Sequence, residues 1–316
     1  MKSSASLSSE KTVRSPLPPT RSEPPASWSH RELWEGVRAA LKALPAYFHS
    51  DTFIEGVDAT DVFTLSGALG ATIETQVVAT LNQIRNVWDK DGRYSTFTFV
   101  RQSQTFPDVI LRNLADEAAP PIMGIELKGW YLLAKEAEPS LRFTQSEKAC
   151  AEADLIMVVP WVLSSVISGR PKIYPPYIES AKYVAQFRNY HWQFLKRGDG
   201  DNRITPPEKA APYPRKSDPT TDRPVSDGGK NFGRIARTGI MDEYLAVMLS
   251  QPVCGNRARH WLDFFKLFQE NATDEAISAG LERLRGQVDV MASSPAKESV
   301  LAILSSLEHH LSLLHS

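Results

Sequence analysis

A run of apolar residues from Leu155 to Leu163, interrupted only by Pro160, is the feature that most constrains how this chain can fold. An apolar stretch of strand length without polar alternation is typical of a β-strand that is covered on both faces. The run is also far shorter than the roughly 20 residues that a helix needs to cross a bilayer. It therefore predicts a buried strand of a sheet, and we expect no transmembrane anchor.

The segments on either side of this run show helical or strand periodicity. They predict, in chain order, helices over residues 29–45 and 66–88, strands over 94–100, 106–111 and 122–133, a helix over 146–153, the buried strand, and a helix over 181–195. The first helix is expected to begin at a capping box of Ser29 and Glu32 and to end at Pro45. This order favours an α/β (α+β) core with a mixed central β-sheet flanked by helices.

Composition divides the 316 residues into four segments. Residues 1–28 have almost no large apolar side chains and predict a flexible arm, whereas residues 29–195 hold the sheet core. Residues 196–237 are rich in Pro and Gly and carry ten Lys or Arg against six Asp or Glu, an excess of four positive charges. They predict a long basic loop. Residues 238–316 predict a helical C-terminal region.

The C-terminal region contains an apolar seam at helical spacing, formed by Ile277, Leu281, Leu284, Val288 and Met291. Such a seam is typical of a helix that pairs with a second copy, so a homodimer is one expectation. The same spacing also fits a helix that packs on the sheet domain of its own chain. Periodicity alone leaves both arrangements open.

Three polar residues stand on the predicted strands where they are expected to meet. Asp108 follows Pro107 at the start of one strand, while Glu126 and Lys128 share one face of the next strand. The offset of eighteen residues between Asp108 and Glu126 lets the two strands pair as a hairpin, which brings all three side chains together. The alternative is a turn residue at Asp108 and an ordinary cross-strand ion pair of Glu126 with Lys128.

Two carboxylates at one point form an oxygen-rich site that suits Mg²⁺, and a neighbouring lysine can hold or help deprotonate an attacking water. Glu74 lies at the edge of the apolar stripe of the 66–88 helix. It could complete the metal shell directly or through water, or it could be a helix-boundary carboxylate that pairs with a nearby cation. The residues therefore indicate metal-assisted hydrolysis.

The order of Glu74, Asp108 after a proline, and Glu126-Leu127-Lys128 resembles the PD-(D/E)xK nuclease superfamily, and within it the type II restriction endonucleases. The resemblance covers about residues 66–162. It implies a restriction-endonuclease-like core in which Asp108 and Glu126 bind Mg²⁺, Lys128 positions or activates water, and Glu74 is an auxiliary ligand. It further implies an endodeoxyribonuclease that hydrolyses phosphodiester bonds of double-stranded DNA at a short specific sequence, with a cognate DNA methyltransferase in the same restriction-modification system.

DNA binding requires a cationic path, which the formal net charge of −1 does not supply over the whole surface. Local cations are the candidates for DNA contacts, namely Arg142, Lys148, Lys230, Arg234 and Arg237. Each of them could instead be an ordinary solvated surface cation. The amino terminus has no apolar central region of the kind found in secretory signals, so the expected location is the cytoplasm.

Two other functions remain open at this stage. One is a repair, recombination or transposition nuclease of the same fold, which would recognise DNA structure and not sequence. The other is a non-catalytic DNA-binding protein. The sequence has no Walker loop, no GxGxxG after a strand and no GxSxG elbow, which argues against an ATP-driven nuclease, a dinucleotide enzyme and an α/β hydrolase.

Overall fold

The computed structural model describes residues 16–59, 61–196, 200–269, 273–291, 297–298, 300–305 and 308. Its α-helices are α1 (Arg31–Tyr47), α2 (Leu65–Gln83), α3 (Arg85–Trp88), α4 (Ala181–Tyr190), α5 (Asp242–Leu249), α6 (Ala258–Gln269) and α7 (Asp274–Met291). The strands of the main sheet are β1 (Phe97–Arg101), β2 (Val109–Asn113), β3 (Met123–Tyr131), β4 (Leu155–Leu163), β5 (Pro171–Ile173) and β6 (Tyr177–Ser180). Four two-residue strands follow, β7 (Ile204–Thr205), β8 (Arg223–Pro224), β9 (Pro252–Val253) and β10 (Asn256–Arg257).

The main sheet has the order β1-β2-β3-β4-β5, and β6 also pairs with β4. Strands β3 and β4 are parallel, whereas the other pairs are antiparallel. Every residue of β4 is buried, as the apolar run predicted. The strand continues through Pro160, whose carbonyl accepts a hydrogen bond from the Tyr174 amide. The mixed central sheet flanked by helices is thus confirmed as an α+β arrangement.

Helix α2 packs on β3 with the predicted apolar face, because Leu69, Ile73, Val77 and Leu81 are buried. The predicted 66–88 helix is divided at Ile84, where the backbone leaves the helical region before α3. By length and composition, residues Val62–Gln83 form one helix that could cross a membrane. A core helix of a soluble protein passes the same test, and the packing of α2 on the sheet agrees with that role.

Two details of the first helix were predicted wrongly. Helix α1 begins at Arg31 with His30 as its N-cap, and no side chain caps it, so Ser29 and Glu32 do not form a capping box. The helix also passes through Pro45 and ends at Tyr47. A proline in the last turn removes one amide donor, yet the Phe48 amide still donates to the Leu44 carbonyl and completes the turn.

The predicted 146–153 helix is only a 3-10 turn, Glu147–Ala149. The chain leaves the helical path because the Asp154 carboxylate accepts the Ala151 amide, and the Asp154 amide donates to the Ala151 carbonyl. The helix predicted over 181–195 is present as α4 followed by a π-helical turn, His191–Leu195. In the 146–153 segment, the Asp154 carboxylate thus replaces a hydrogen bond that would have continued the helix.

Residues 16–28, assigned by composition to the flexible arm, contact the folded core. Arg21 pairs with Glu179 on β6 at 2.7 Å, and Arg31 on α1 donates to the carbonyl of Pro24, which is buried. Residues 1–15 of the predicted arm lie outside the described residues. The segment that precedes α1 therefore lies against α1 and β6.

The apolar seam of the C-terminal region is buried within its own chain. Ile277, Leu281, Leu284 and Val288 are all buried, and α7 packs on α6 and β10. A Cβ on Gly280 would approach Leu267 Cδ1 to 2.7 Å, which shows how closely the two helices meet. The side chain of Met291 and residues 309–316 lie outside the described part. These four residues are already covered by their own chain, so they give no support to the homodimer. The homodimer stays a prediction.

Candidate active site

The site forms where the sheet splits between β2 and β3. Their antiparallel register ends with Val109 opposite Ile125, so the next position places Asp108 opposite Glu126, on one face of the sheet. Beyond this point, β3 continues without β2 as its neighbour. Its amides are instead bound by carboxylates: Leu127 donates to Asp108 Oδ2 at 3.0 Å, and Gly129 donates to Glu74 Oε1 at 3.0 Å.

Within β3, only Glu126 and Lys128 are partly exposed, whereas the other seven of nine residues are buried. The two polar side chains therefore alternate with apolar ones that fix the strand in the core. Glu126 and Lys128 thus share one face of the strand, as predicted, and the Asp108 amide hydrogen-bonds the Glu126 carboxylate, which places the two residues side by side. The sequence predicted this grouping correctly.

The two facing carboxylates carry more negative charge than their surroundings compensate. Burial raises the pKa of Glu126 to about 8, with a further contribution from the charge of Asp108 and a partial offset from the Asp108 amide, which hydrogen-bonds the carboxylate. Burial also raises the pKa of Asp108, assisted by Glu74 and opposed by the Leu127 amide, Arg101 and Lys128. Such a pair favours binding of a proton or of a metal cation.

Glu74 lies at the edge of the core, as its position on the helix predicted, and it pairs with nearby cations, which was the alternative interpretation of this residue. Its side chain is 15% exposed; Lys128 Nζ lies 3.8 Å from Oε1, and Arg101 Nη2 lies 3.6 Å from Oε2. Arg101 also donates to the hydroxyl of Thr75. Glu74 thus fixes both the head of Lys128 and the β3 backbone. Its predicted role as an auxiliary metal ligand stays a prediction.

A divalent metal fits the paired carboxylates of Asp108 and Glu126. Burial is the main cause of their raised pKa values, and for Glu126 the charge of Asp108 adds to it, so a cation bound between the two carboxylates would be favoured. Within the described residues, no group of three or more His, Cys, Asp or Glu side chains is arranged to hold a metal ion. Mg²⁺ needs only one or two protein carboxylates, with water and substrate oxygens for the rest, and so does not require such a group.

Pro107, which the sequence pattern already marked, and Asp154, which it did not, position strand β3. Pro107 packs so closely over Gly124 that a Cβ there would lie 2.1 Å from Pro107 Cγ. Asp154 is fully buried, and its Oδ1 accepts the Gly124 amide at 2.7 Å and the Tyr213 hydroxyl at 3.1 Å. Burial raises the pKa of Asp154 to about 6. The sequence did carry a signal for Asp154, because this carboxylate stands directly before the apolar run 155–163.

Arg101 is a further residue of the site that the sequence analysis missed. It stands at the end of β1, opposite Val109, and its charge acts on Asp108 as well as on Glu74. No motif marks it, because it reaches the site only through the pairing of β1 with β2. The site consequently has two cations, Lys128 and Arg101, beside three carboxylates.

Four of the five predicted DNA contacts lie together, apart from Lys148. Arg142 donates to the carbonyl of Lys230 and pairs with Arg234 in a β-bridge, while Arg234 and Arg237 both approach Glu138. Lys148 is exposed on the turn before Cys150, in a cavity that Lys182 also lines. The structure thus brings Arg142, Lys230, Arg234 and Arg237 together and places Lys148 elsewhere.

The basic loop is attached to the core by buried polar contacts. Arg188 on α4 donates to Asp222 Oδ2 at 2.5 Å, and the Ser146 amide donates to the Thr220 carbonyl. Farther along, the Phe143 amide donates to the carbonyl of Gly233, whose φ of +85° favours glycine. These contacts fix residues 220–233 beside the segment that carries Arg142.

Comparison of the chain with protein-family models, with curated proteins and with solved structures found no match. The resemblance to a nuclease superfamily therefore depends on the residues of the motif alone.

Proposed function

We propose that this protein is a Mg²⁺-dependent endodeoxyribonuclease, with Asp108, Glu126 and Lys128 as its catalytic residues. The observation that carries the proposal is the position of Asp108 directly opposite Glu126, where the sheet splits and both carboxylates have raised pKa values. A solvated ion pair at a sheet edge would not be embedded in a strand whose other residues are buried. The arrangement instead suits a cation held against a substrate phosphate.

In this proposal each side chain has a distinct task in hydrolysis of a phosphodiester bond. Mg²⁺, held by Asp108 and Glu126, supplies Lewis acidity and charge neutralisation. The ammonium of Lys128 holds the attacking water. As the water oxygen bonds to phosphorus, it gives up a proton to a neighbouring solvent water, and the leaving sugar oxygen, whose bond to phosphorus breaks, takes up a proton from solvent. Glu74 orients that ammonium from 3.8 Å. Arg101 is placed to balance negative charge on the phosphate.

The finer form of the proposal is a type II restriction endonuclease with a restriction-endonuclease-like core. The strand order and the carboxylate-bearing helix α2 beside β3 support it, since Glu74, Asp108, Glu126 and Lys128 converge. The proposal includes double-stranded DNA as substrate, cleavage at a short specific sequence, a homodimer in the cytoplasm and a cognate methyltransferase. The grouped cations Arg142, Lys230, Arg234 and Arg237 are its proposed DNA contacts, together with the separate Lys148.

The test is incubation of the purified protein with phage DNA and Mg²⁺, followed by gel electrophoresis. Asp108→Asn and Lys128→Ala are expected to lower the cleavage rate by about a thousandfold or more. Lys42→Ala, which removes an exposed lysine on α1 away from the site, is the matched control and should cleave like the wild type. Discrete bands that disappear with EDTA and in both site variants would support a sequence-specific enzyme.

Other outcomes separate the alternatives. Cleavage that depends on branched or damaged DNA would replace restriction with a repair or recombination function. DNA that is bound but intact with Mg²⁺ or Mn²⁺ would contradict catalysis and favour a binding protein. Cleavage that Asp108→Asn leaves unchanged would contradict the proposed site.

A further inference from the structure

Glu138 is held between two arginines of the basic loop. Arg237 Nε donates to Glu138 Oε1 at 2.7 Å, and Arg234 Nη2 lies 3.6 Å from the same oxygen. The Glu138 side chain is 18% exposed, whereas that of Arg237 is 43% exposed. One carboxylate oxygen is therefore shared by two guanidinium groups, one of which remains open to solvent.

This arrangement has the chemistry of a site for a phosphodiester. Guanidinium groups bind carboxylate and phosphate oxygens with the same fork of N–H donors. The Arg237 donors are held in place, because Nη1 also donates to Asn231 Oδ1 at 2.8 Å, and the backbone of Arg234 is fixed by a β-bridge with Arg142. A carboxylate or a phosphate could therefore bind to both guanidinium groups here.

The arginine pair is also connected with the catalytic strand. Glu138 lines a cavity of about 230 Å³ together with Gly129 and Trp130 of β3. Gly129 directly follows Lys128, and its amide is the one bound by Glu74. A nucleic acid strand whose scissile phosphate lay at Lys128 could thus present a neighbouring phosphate to the arginine pair.

We propose that Arg234 and Arg237 form a binding site for a DNA backbone phosphate, and that Glu138 occupies this site in the free protein. The inference rests on the proposed function for the identity of the ligand. DNA must displace the Glu138 carboxylate before its phosphate reaches the arginines. The free energy needed to break the two internal ion pairs of Glu138 therefore lowers the affinity for DNA.

The test is a titration of a labelled DNA duplex in EDTA, measured by fluorescence anisotropy. Glu138→Gln should bind about fivefold more tightly than the wild type, the amount expected from loss of two partly exposed ion pairs. Glu136→Gln is the matched control. It removes the same charge from the same cavity, and Glu136 forms no ion pair in the described part of the chain.

Arg237→Gln tests the second partner. It should weaken binding and reduce the slope of log affinity against log salt by about 0.9, because one phosphate contact is lost. Glu138→Gln should then bring at most a small gain in the Arg237→Gln background. Equal affinities of Glu138→Gln and Glu136→Gln, or the full fivefold gain without Arg237, would overturn the inference.

The binding assay separates this inference from the proposed function, because EDTA removes any need for cleavage. If the wild type binds DNA but never cleaves it, and Glu138→Gln binds DNA more tightly, only the proposed nuclease function is contradicted. A wild type that cleaves while Glu138→Gln binds DNA no better than Glu136→Gln would contradict the arginine site alone.

Discussion

Two regions of the described chain that hold ionisable side chains in or beside the core can be compared, and the comparison separates structure from function. Beneath the basic loop, Arg188 and Asp222 form a pair in which each side chain is 1% exposed. Arg188 also donates to the carbonyls of Phe143 and Gln145. At the split of the sheet, Asp108 faces Glu126, a residue of the same charge. In the first region the two charges are opposite and compensate each other, whereas in the second region the two facing side chains have like charge and are partly exposed.

The pKa values reflect this difference. Burial lowers the pKa of Arg188 to about 10, and the opposite charge of Asp222 counteracts the shift, so the guanidinium stays charged near neutral pH. Burial raises the pKa of Glu126 to about 8, and the charge of Asp108 adds to the shift. The oppositely charged pair joins the loop to α4, whereas each of the two facing carboxylates holds its proton more tightly than a carboxylate in solution.

The largest expected effect is loss of stability when the compensated pair is broken. Arg188→Met leaves Asp222 charged and buried and removes donors from two backbone carbonyls. The free energy of unfolding should fall by about 3–5 kcal/mol, measured by urea denaturation at neutral pH.

Arg203→Met is the control for this prediction, because Arg203 also pairs with an aspartate, Asp201, but is 81% exposed. Its change should stay within about 0.5 kcal/mol. Similar losses in both variants would show that burial does not distinguish the Arg188 pair, and the comparison of the two regions would fail.

The opposite effect is expected at the uncompensated pair. The Glu126 pKa of about 8 in the folded protein exceeds its ordinary value of 4.5, so the folded state holds this proton more tightly than the unfolded chain does. Its contribution to stability is present below pH 4.5 and is lost as pH rises toward 8. Without metal at pH 8, Glu126→Gln should be more stable than the wild type by roughly 1–3 kcal/mol.

Thermal unfolding across this pH range, with and without Mg²⁺, checks the prediction. Mg²⁺ should stabilise the wild type at pH 8 and have little effect on Glu126→Gln, because a bound ligand stabilises only the state that holds it. Glu55→Gln, an exposed position, serves as control. A metal-free Glu126→Gln variant that is less stable than the wild type at pH 8 would mean that the carboxylates are already compensated.

Asp154 provides an intermediate case, a buried carboxylate compensated by neutral donors. Tyr213→Phe removes one of these donors, the hydroxyl at 3.1 Å from Oδ1, and should cost about 1 kcal/mol of unfolding free energy. Tyr47→Phe, at a side chain that is 46% exposed, should cost less. Equal stabilities of Tyr213→Phe and the wild type, measured by urea denaturation, would show that the two amides suffice for Asp154.

Several local features could be predicted because they depend on short-range periodicity. The buried strand β4, the apolar face of α2 and the shared face of Glu126 and Lys128 all follow from spacing along the chain. The errors arose where side chains compete with backbone hydrogen bonds. The 146–153 segment had helical composition, yet the Asp154 carboxylate took the Ala151 amide and limited it to one turn.

The partners of charged residues could not be predicted in the same way. Arg101 reaches Glu74 through the pairing of β1 with β2, and Glu138 meets Arg237 across 99 residues of chain. No period in the sequence relates such positions, because their distance depends on how strands and loops assemble. Hydrophobic pattern is a local property, whereas charge compensation is a property of the assembled core.

The sequence by itself determined the approximate positions of β1 to β4, though not of β5 and β6, and which side chains share a face on them, since alternation along a strand is fixed by backbone geometry. It thereby selected Asp108, Glu126 and Lys128 as neighbours. Only the tertiary structure decided where β2 leaves β3, and hence that Asp108 and Glu74 bind the freed amides of Leu127 and Gly129. The physical reason is that a buried backbone amide must find a partner, and that partner came from distant segments of the chain.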